Sequence, residues 1–257
     1  MKLQHSTILI TGGTNGIGLE FAKQLLEKGA NVIVTGRNIE NLIKTKEQFP
    51  EIHTIQCDID NPDEIRSLHQ QILKEFPDLN IIINNAGIMH SVRPEDVNME
   101  LEKVTAEIET NFSGTVRMIH QFLPHLMAKN ASAIVNVTSG LAFIPFTISP
   151  IYCGTKAGVH VYTQALRLQL RGSNVKVFEV APPKTDKPLQ TAVPEAPNSR
   201  DMKVEDMVRI AIRGISKDKL EIRPGLSNVM KWMSRIAPDF FAKLIDKNIR
   251  KSKLQGH

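Results

Sequence analysis

Cysteine is scarce in this chain of 257 residues. The two present, Cys57 and Cys153, show neither paired nor ligand-like spacing. A disulfide framework and a cysteine-built zinc site are therefore excluded, which fits a reducing compartment. Long apolar runs are missing too. Ile8-Leu9-Ile10 is too short for a signal peptide or a membrane span, and no charged-then-apolar leader precedes it. The expected location is the cytoplasm. Basic charge does not cover the chain. From Leu226 onward there are seven Lys or Arg against two Asp or Glu, an excess of five that equals the whole formal net charge of +5. The remaining body is balanced, so no basic stripe for nucleic acid is present. No internal repeat, low-complexity tract or interdomain linker is visible. With 41% apolar and 23% charged residues the chain can bury a full core. Residues 1–257 read as one domain.

What is there alternates. Short apolar runs follow helical patterns from the start, as βαβ units do. Strands are expected at Thr7–Thr11, Asn31–Thr35, Ile52–Gln56, Leu79–Ile83, Ala133–Val137 and Val175–Val180, with a short one near Leu220–Ile222. Their apolar residues are consecutive, as in sheets covered on both faces. Helices are expected over Gly16–Lys28, from about Pro62, over about Met99–Lys129 with a bend at Pro124, over Tyr152–Leu170 and over Val204–Ile215. Residues 183–200 carry many prolines and no apolar face, and read as a substrate loop. Residues 226–257 form a basic, amphipathic pair of helices broken at Pro238. A solvated helix face is the simpler account of their charge. Contact with an anionic membrane surface, motivated by Trp232, Phe240 and Phe241, is the alternative.

The first strand runs into Thr11-Gly12-Gly13-Thr14-Asn15-Gly16-Ile17-Gly18. Glycines there permit a tight turn and a close backbone approach to phosphate, and the following helix offers free N–H groups and a favourable dipole. Three spaced glycines alone would be weak evidence. Their place at the first strand-to-helix junction points to a dinucleotide. The second strand ends Thr35-Gly36-Arg37-Asn38, with a guanidinium and no adjacent acid, which favours NADP over NAD.

Ser139 ends the fifth strand, and Tyr152 and Lys156 follow at helical spacing. Reducing a carbonyl requires hydride on carbon and a proton on oxygen. A free tyrosine has a pKa near 10, and a neighbouring cation is expected to lower it. The i, i+4 spacing lets Lys156 reach both the phenol region and a cofactor ribose. Ser139 can donate a hydrogen bond to the substrate oxygen. A Tyr–Lys pair at this spacing is common by chance; the ordered set with the glycine loop upstream is not.

With Asn84-Asn85-Ala86-Gly87-Ile88, Val137-Thr138-Ser139-Gly140-Leu141-Ala142-Phe143 and Ala181-Pro182-Pro183, the chain resembles the short-chain dehydrogenase/reductase family over residues 5 to about 185. It is similar within it to bacterial short-chain oxidoreductases associated with D-alanine–lipoteichoic acid genes. The resemblance implies that Gly12, Asn15, Gly16, Ile17 and Gly18 line a pyrophosphate loop. It implies that Asp58 and Ile59 meet adenine, and that Asn85, Ala86 and Gly87 wall the cofactor. Asn111, on a distorted helix, would join the catalytic group of Ser139, Tyr152 and Lys156 through a water, with Tyr152 and Lys156 also touching the cofactor. The family follows strand six with Pro-Gly and then a threonine against the nicotinamide. Here Pro183 replaces that glycine, the counted position is Lys187, and Pro182 and Thr185 are the candidates left.

The expectation is a doubly wound, Rossmann-type α/β fold with a mostly parallel seven-stranded sheet. The expected function is an NADP-dependent oxidoreductase acting on a small carbonyl or alcohol, with no metal and no nucleic acid. Specificity would lie in the substrate loop and around Leu141–Phe146. The resemblance implies a homodimer or homotetramer. The alternative is a non-catalytic NAD(P)-binding redox sensor.

Overall fold

A computed structural model describes residues 1–91, 99–186 and 201–254, with side chains as far as Lys247. The strands are β1 (Thr7–Thr11), β2 (Asn31–Gly36), β3 (His53–Gln56), β4 (Leu79–Asn84), β5 (Ser132–Val137), β6 (Val175–Val180) and β7 (Glu221–Ile222). They form one sheet in the order β3-β2-β1-β4-β5-β6-β7. Every pairing among the described strands is parallel, so the doubly wound α/β expectation holds. The helices are α1 (Gly16–Leu26), α2 (Ile39–Gln48), α3 (Pro62–Glu75), α4 (Leu101–Glu107), α5 (Thr115–Met127), α6 (Pro150–Gln169), α7 (Val204–Ser216), α8 (Ser227–Ile236) and α9 (Pro238–Leu254).

Successive strand residues point to opposite faces, so a sheet covered twice needs apolar residues at consecutive positions. In β1, Ile8 and Ile10 enter one core and Leu9 the other; in β2, Val32 and Val34 oppose Ile33. The first core is closed by Phe21 and Leu25 of α1, Leu42 of α2, and Met207 and Ile212 of α7. The second is closed by Ile65 and Leu68 of α3, Phe122 of α5 and Leu166 of α6.

Three local features depart from expectation. Helix α2 is additional. Asn38 starts it by accepting from the Asn41 backbone N–H at 3.0 Å. Its apolar stripe is faint because Ile39 and Ile43 are exposed while only Leu42 and Thr45 are buried. The expected long helix is not interrupted at Pro124, which sits near the end of α5, and it runs on to Met127. It is broken by a π-helical turn over Ile108–Gly114, at the distortion the resemblance implied for Asn111; the turn is pressed on Ile59, where a Cβ on Gly114 would come within 2.8 Å of the Ile59 side chain. The third concerns α8, which docks on a short 3-10 turn, Gly140–Ala142. A Cβ on Gly140 would stand 2.8 Å from both Met230 Sδ and Ser227 Oγ. Among the described residues no helix is long and apolar enough to cross a membrane.

Candidate active site

The strand order reverses between β1 and β4, which opens a crevice at their carboxyl ends. The glycine turn lies there. Gly12 has φ +63° and faces Ala86, whose Cα would be 2.9 Å from a Cβ at position 12. Thr11 Oγ1 accepts from the backbone N–H groups of Asn85 and Ala86, both at 3.1 Å. Asn85 Nδ2 donates to the carbonyls of Thr11 and Gly12 at 3.1 and 3.0 Å. Asn85 thus staples the turn to β4. Gly18 lets α1 approach: a Cβ there would meet Gly12 O at 2.2 Å. Gly16, at φ +50°, has open space where a Cβ would be, and Asn15 makes no side-chain capping bond. The first N–H groups of α1 therefore remain open beside the cleft, a setting that favours an anion.

The cleft measures about 510 Å³ and is lined by Asn15, Gly16 and Ile17 on one side and by Asn85, Ala86 and Gly87 on another. Arg37 and Asp58 stand at one end and Ile88 at the other. Its size, its glycine floor and the uncapped helix end fit a dinucleotide. Arg37 is not free of acids, as its sequence neighbours suggested. The fold brings its Nη1 to 4.0 Å from Asp58 and 3.8 Å from Asp60. The guanidinium is half exposed and both contacts are long, so they hold it weakly. Asp58 is fastened instead by its own N–H to Glu64 at 2.7 Å and by accepting from the Asp60 N–H at 3.0 Å. Ile59 lines the cleft but is largely buried against Gly114.

Gly87 joins this cleft to the polar cluster beyond it. A Cβ on Gly87 would be 3.1 Å from Asn111 Oδ1 and 3.3 Å from Lys156 Nζ. Asn111 is fully buried on the π-helical turn. Its Oδ1 accepts from Ile88 N at 2.8 Å, and its Nδ2 donates to Ile88 O at 2.8 Å and Thr155 Oγ1 at 3.1 Å. Lys156 Nζ donates to Val137 O at 3.0 Å and lies 5.7 Å from the Tyr152 ring centroid. Ser139 Oγ accepts from Leu141 N at 3.1 Å, and its hydroxyl favours ionisation of the Tyr152 phenol. The Pro182 carbonyl accepts from Gly140 N at 2.8 Å, beside Ser139. Thr185 is buried and pairs with Met202 as an isolated parallel bridge. Positions 187–200 of the expected substrate loop, Lys187 among them, lie outside the described residues.

The electrostatics correct one expectation. Lys156 does not lower the phenol here. Burial pushes Tyr152 up to about 12, against the effect of the Ser139 hydroxyl, while Cys153 and Glu107 add to the rise. Burial also draws Lys156 down to about 8, partly offset by Glu107. The ammonium is directed at the Val137 carbonyl, and desolvation of both groups dominates. Cys153 is a packed thiol, driven up to about 11 by burial.

Glu107, Thr155 and Thr11 escaped the sequence reading. Glu107 had a signal: it precedes Asn111 by four residues, so it shares that residue's buried helical face. A further polar cluster lies behind Ser139. Glu179, fully buried, accepts from Thr138 Oγ1 at 2.7 Å and meets His160 Nδ1 at 2.8 Å. Its neighbour Glu221 is held by Arg223 and Lys231, so two cations already neutralise the group.

A family model described as short chain dehydrogenase matches residues 6–198. The uncharacterized oxidoreductase DltE of Bacillus subtilis (strain 168) is 43% identical over 224 residues, covering 86% of this chain and 89% of that protein. This agrees with the narrower resemblance read from the sequence. A short chain dehydrogenase from Burkholderia cenocepacia in complex with NADP superposes with a TM-score of 0.83 at 23% identity, covering 95% of this chain and 99% of that one. A short chain dehydrogenase/reductase from Burkholderia phymatum in complex with NAD gives 0.80 at 19% identity, covering 90% and 93%.

Proposed function

The chain belongs to the short chain dehydrogenase family and is an NAD(P)-dependent oxidoreductase, and from that premise we propose that it exchanges hydride between NADP and a small carbonyl or alcohol, with Tyr152 as the acid/base. The observation that carries this reading is the enclosed cluster at the end of the cleft. Tyr152 and Lys156 are both buried, Lys156 Nζ lies 5.7 Å from the Tyr152 ring centroid, and Gly87 leaves room beside Lys156 and Asn111.

Each residue has a task. The α1 end with Gly12, Asn15, Gly16, Ile17 and Gly18 would hold a pyrophosphate, and Arg37 with Asp58 and Ile59 would border the adenosine. Asn85, Ala86 and Gly87 form the opposite wall, and Pro182 and Thr185 stand on the nicotinamide side. When bound, the nicotinamide supplies or accepts the hydride. Tyr152 donates its proton to the substrate oxygen in reduction and receives one in oxidation. Ser139 orients that oxygen. Lys156 has three ammonium donors, one of which goes to Val137, leaving others for ribose hydroxyls. Asn111 fixes Ile88 and anchors a water beside Lys156.

NADP is favoured because Arg37 is half exposed and only loosely engaged by Asp58 and Asp60, so a 2′-phosphate can claim it. The reading keeps the protein in the cytoplasm, where thiols stay reduced. It also makes it a homo-oligomer, since Leu101, Val161 and Leu168 are exposed on α4 and α6. Tyr152→Phe should bind NADPH like the parent and lose kcat by about 10²–10⁴-fold across a panel of aldehydes and ketones. Full turnover by this variant removes the mechanism. A parent protein that binds NADPH tightly yet reduces nothing on the panel is a redox sensor. Arg37→Ala should weaken NADPH by about tenfold and leave NADH unchanged; equal affinities in parent and variant remove the NADP preference.

A further inference from the structure

Glu107 is a deeply buried carboxylate near the candidate site, with 1% of its surface exposed. It ends α4, one helical turn before Asn111. The two side chains act on the same piece of chain. Asn111 takes both backbone groups of Ile88, and Glu107 Oε1 accepts from the His90 N–H. The His90 ring stands over the same oxygen, with Nδ1 at 3.3 Å but not aligned for a hydrogen bond. Glu107 Oε2 is buried with no hydrogen-bond partner among the described residues. A buried carboxylate oxygen left so is costly unless a cation faces it. Among the described residues the titratable groups whose charge it feels are His90, Lys156, Tyr152 and Cys153. Lys156 is a cation of this set, itself buried and hydrogen-bonded only to a neutral carbonyl in the contacts given above.

Resting on the reading of Tyr152 and Lys156 above, we infer that Glu107, held by His90, is a positioning residue for the reaction: its negative charge keeps Lys156 an ammonium inside the protein, and its bond to His90 fixes the segment from Ile88 to His90 that ends the cofactor cleft. The chemistry explains the arrangement. Burial alone drives a lysine toward its neutral form, in which it can no longer grip ribose hydroxyls with three donors. One carboxylate beyond hydrogen-bond contact counters this without occupying the donors. The same charge opposes ionisation of Tyr152, so it holds both groups in their protonated forms, the pair that carbonyl reduction starts from. Neutralising Glu107 should therefore make both lose their protons at lower pH.

Carbon-13 NMR of the lysine Cε resonances in the full-length protein reads this directly, with Lys156 identified by the signal missing in Lys156→Met. The parent should titrate near about 8. Glu107→Gln should lower that midpoint by about one pH unit, and Glu107→Asp, which keeps the charge, should stay close to the parent. The alkaline limb of kcat for NADPH-dependent reduction should move with it. An unmoved Lys156 midpoint in folded E107Q overturns the inference even if turnover falls, and so does an E107D midpoint as low as that of E107Q. If E107Q does not fold, the parent answers instead: the Lys156 resonance should show a second inflection in acid as Glu107 takes up its proton, and a single inflection overturns the pairing. Tyr152→Phe separates the two claims. If that variant keeps full turnover while E107Q still shifts Lys156, the acid/base reading fails and the charge pairing stands.

Discussion

Gly18→Ala tests the foundation of the cofactor cleft. The new Cβ would stand 2.2 Å from Gly12 O and 2.5 Å from Asn85 Nδ2. A carbon–oxygen contact needs about 1 Å more than this, so α1 or the turn must retreat by that amount. Gly12 O is backbone in a tight turn, and Asn85 is pinned by two hydrogen bonds at 3.0 and 3.1 Å, so neither yields freely. Overpacking costs about 1–3 kcal/mol, and losing both Asn85 bonds adds about 1 kcal/mol each, for a total of about 3–5 kcal/mol. Urea denaturation should record a midpoint lower by about 1–2 M. Gly16→Ala is the control. Its Cβ meets nothing within 4 Å, so the only intrinsic cost is the left-handed φ of +50°, about 1–2 kcal/mol. Isothermal titration with NADPH should nevertheless show a large loss of affinity for Gly16→Ala, because that methyl would project where the phosphates approach α1. A Gly18→Ala protein within about 0.5 kcal/mol of the parent would refute the packing argument. Undiminished NADPH affinity in Gly16→Ala would refute the placing of the pyrophosphate.

Two other outcomes follow from buried charge. Lys156 has a folded-state value of about 8, below its ordinary 10.5, so the unfolded chain holds that proton more tightly and stability should rise as pH climbs from about 8 to about 10.5. Lys156→Met should lose that rise, as urea melts of both proteins between about pH 7 and pH 10 will show; parallel profiles contradict it. Glu179→Ala should cost about 3–5 kcal/mol by calorimetry, because Thr138 and His160 lose their common buried partner; a change under about 1 kcal/mol would mean that water replaces the carboxylate.

The seven strands were legible because a sheet covered on both faces demands unbroken apolar runs, and Thr7–Thr11 or Val175–Val180 show them plainly. Helix α2 was not legible, since Ile39 and Ile43 face solvent and blur its stripe. The resemblance put a distortion at Asn111, and the π-helical turn lies there; the apolar pattern by itself pointed to Pro124, because a proline is visible in sequence whereas the packing of Gly114 on Ile59 is a contact across 55 positions. The glycine loop, Ser139, Tyr152 and Lys156 were singled out in the sequence by their order along the chain. Their electrostatic state could not.

Local spacing therefore determined the elements, the parallel sheet and the ordered set of polar groups, because each depends on neighbours within a few residues. Tertiary structure alone decided which charges face one another. It set Asp58 and Asp60 beside Arg37, aimed Lys156 at the Val137 carbonyl, and enclosed Glu107 near both Tyr152 and Lys156. The physical reason is that charge interactions and desolvation depend on distance and burial in space, and neither quantity is written in the order of residues along a chain.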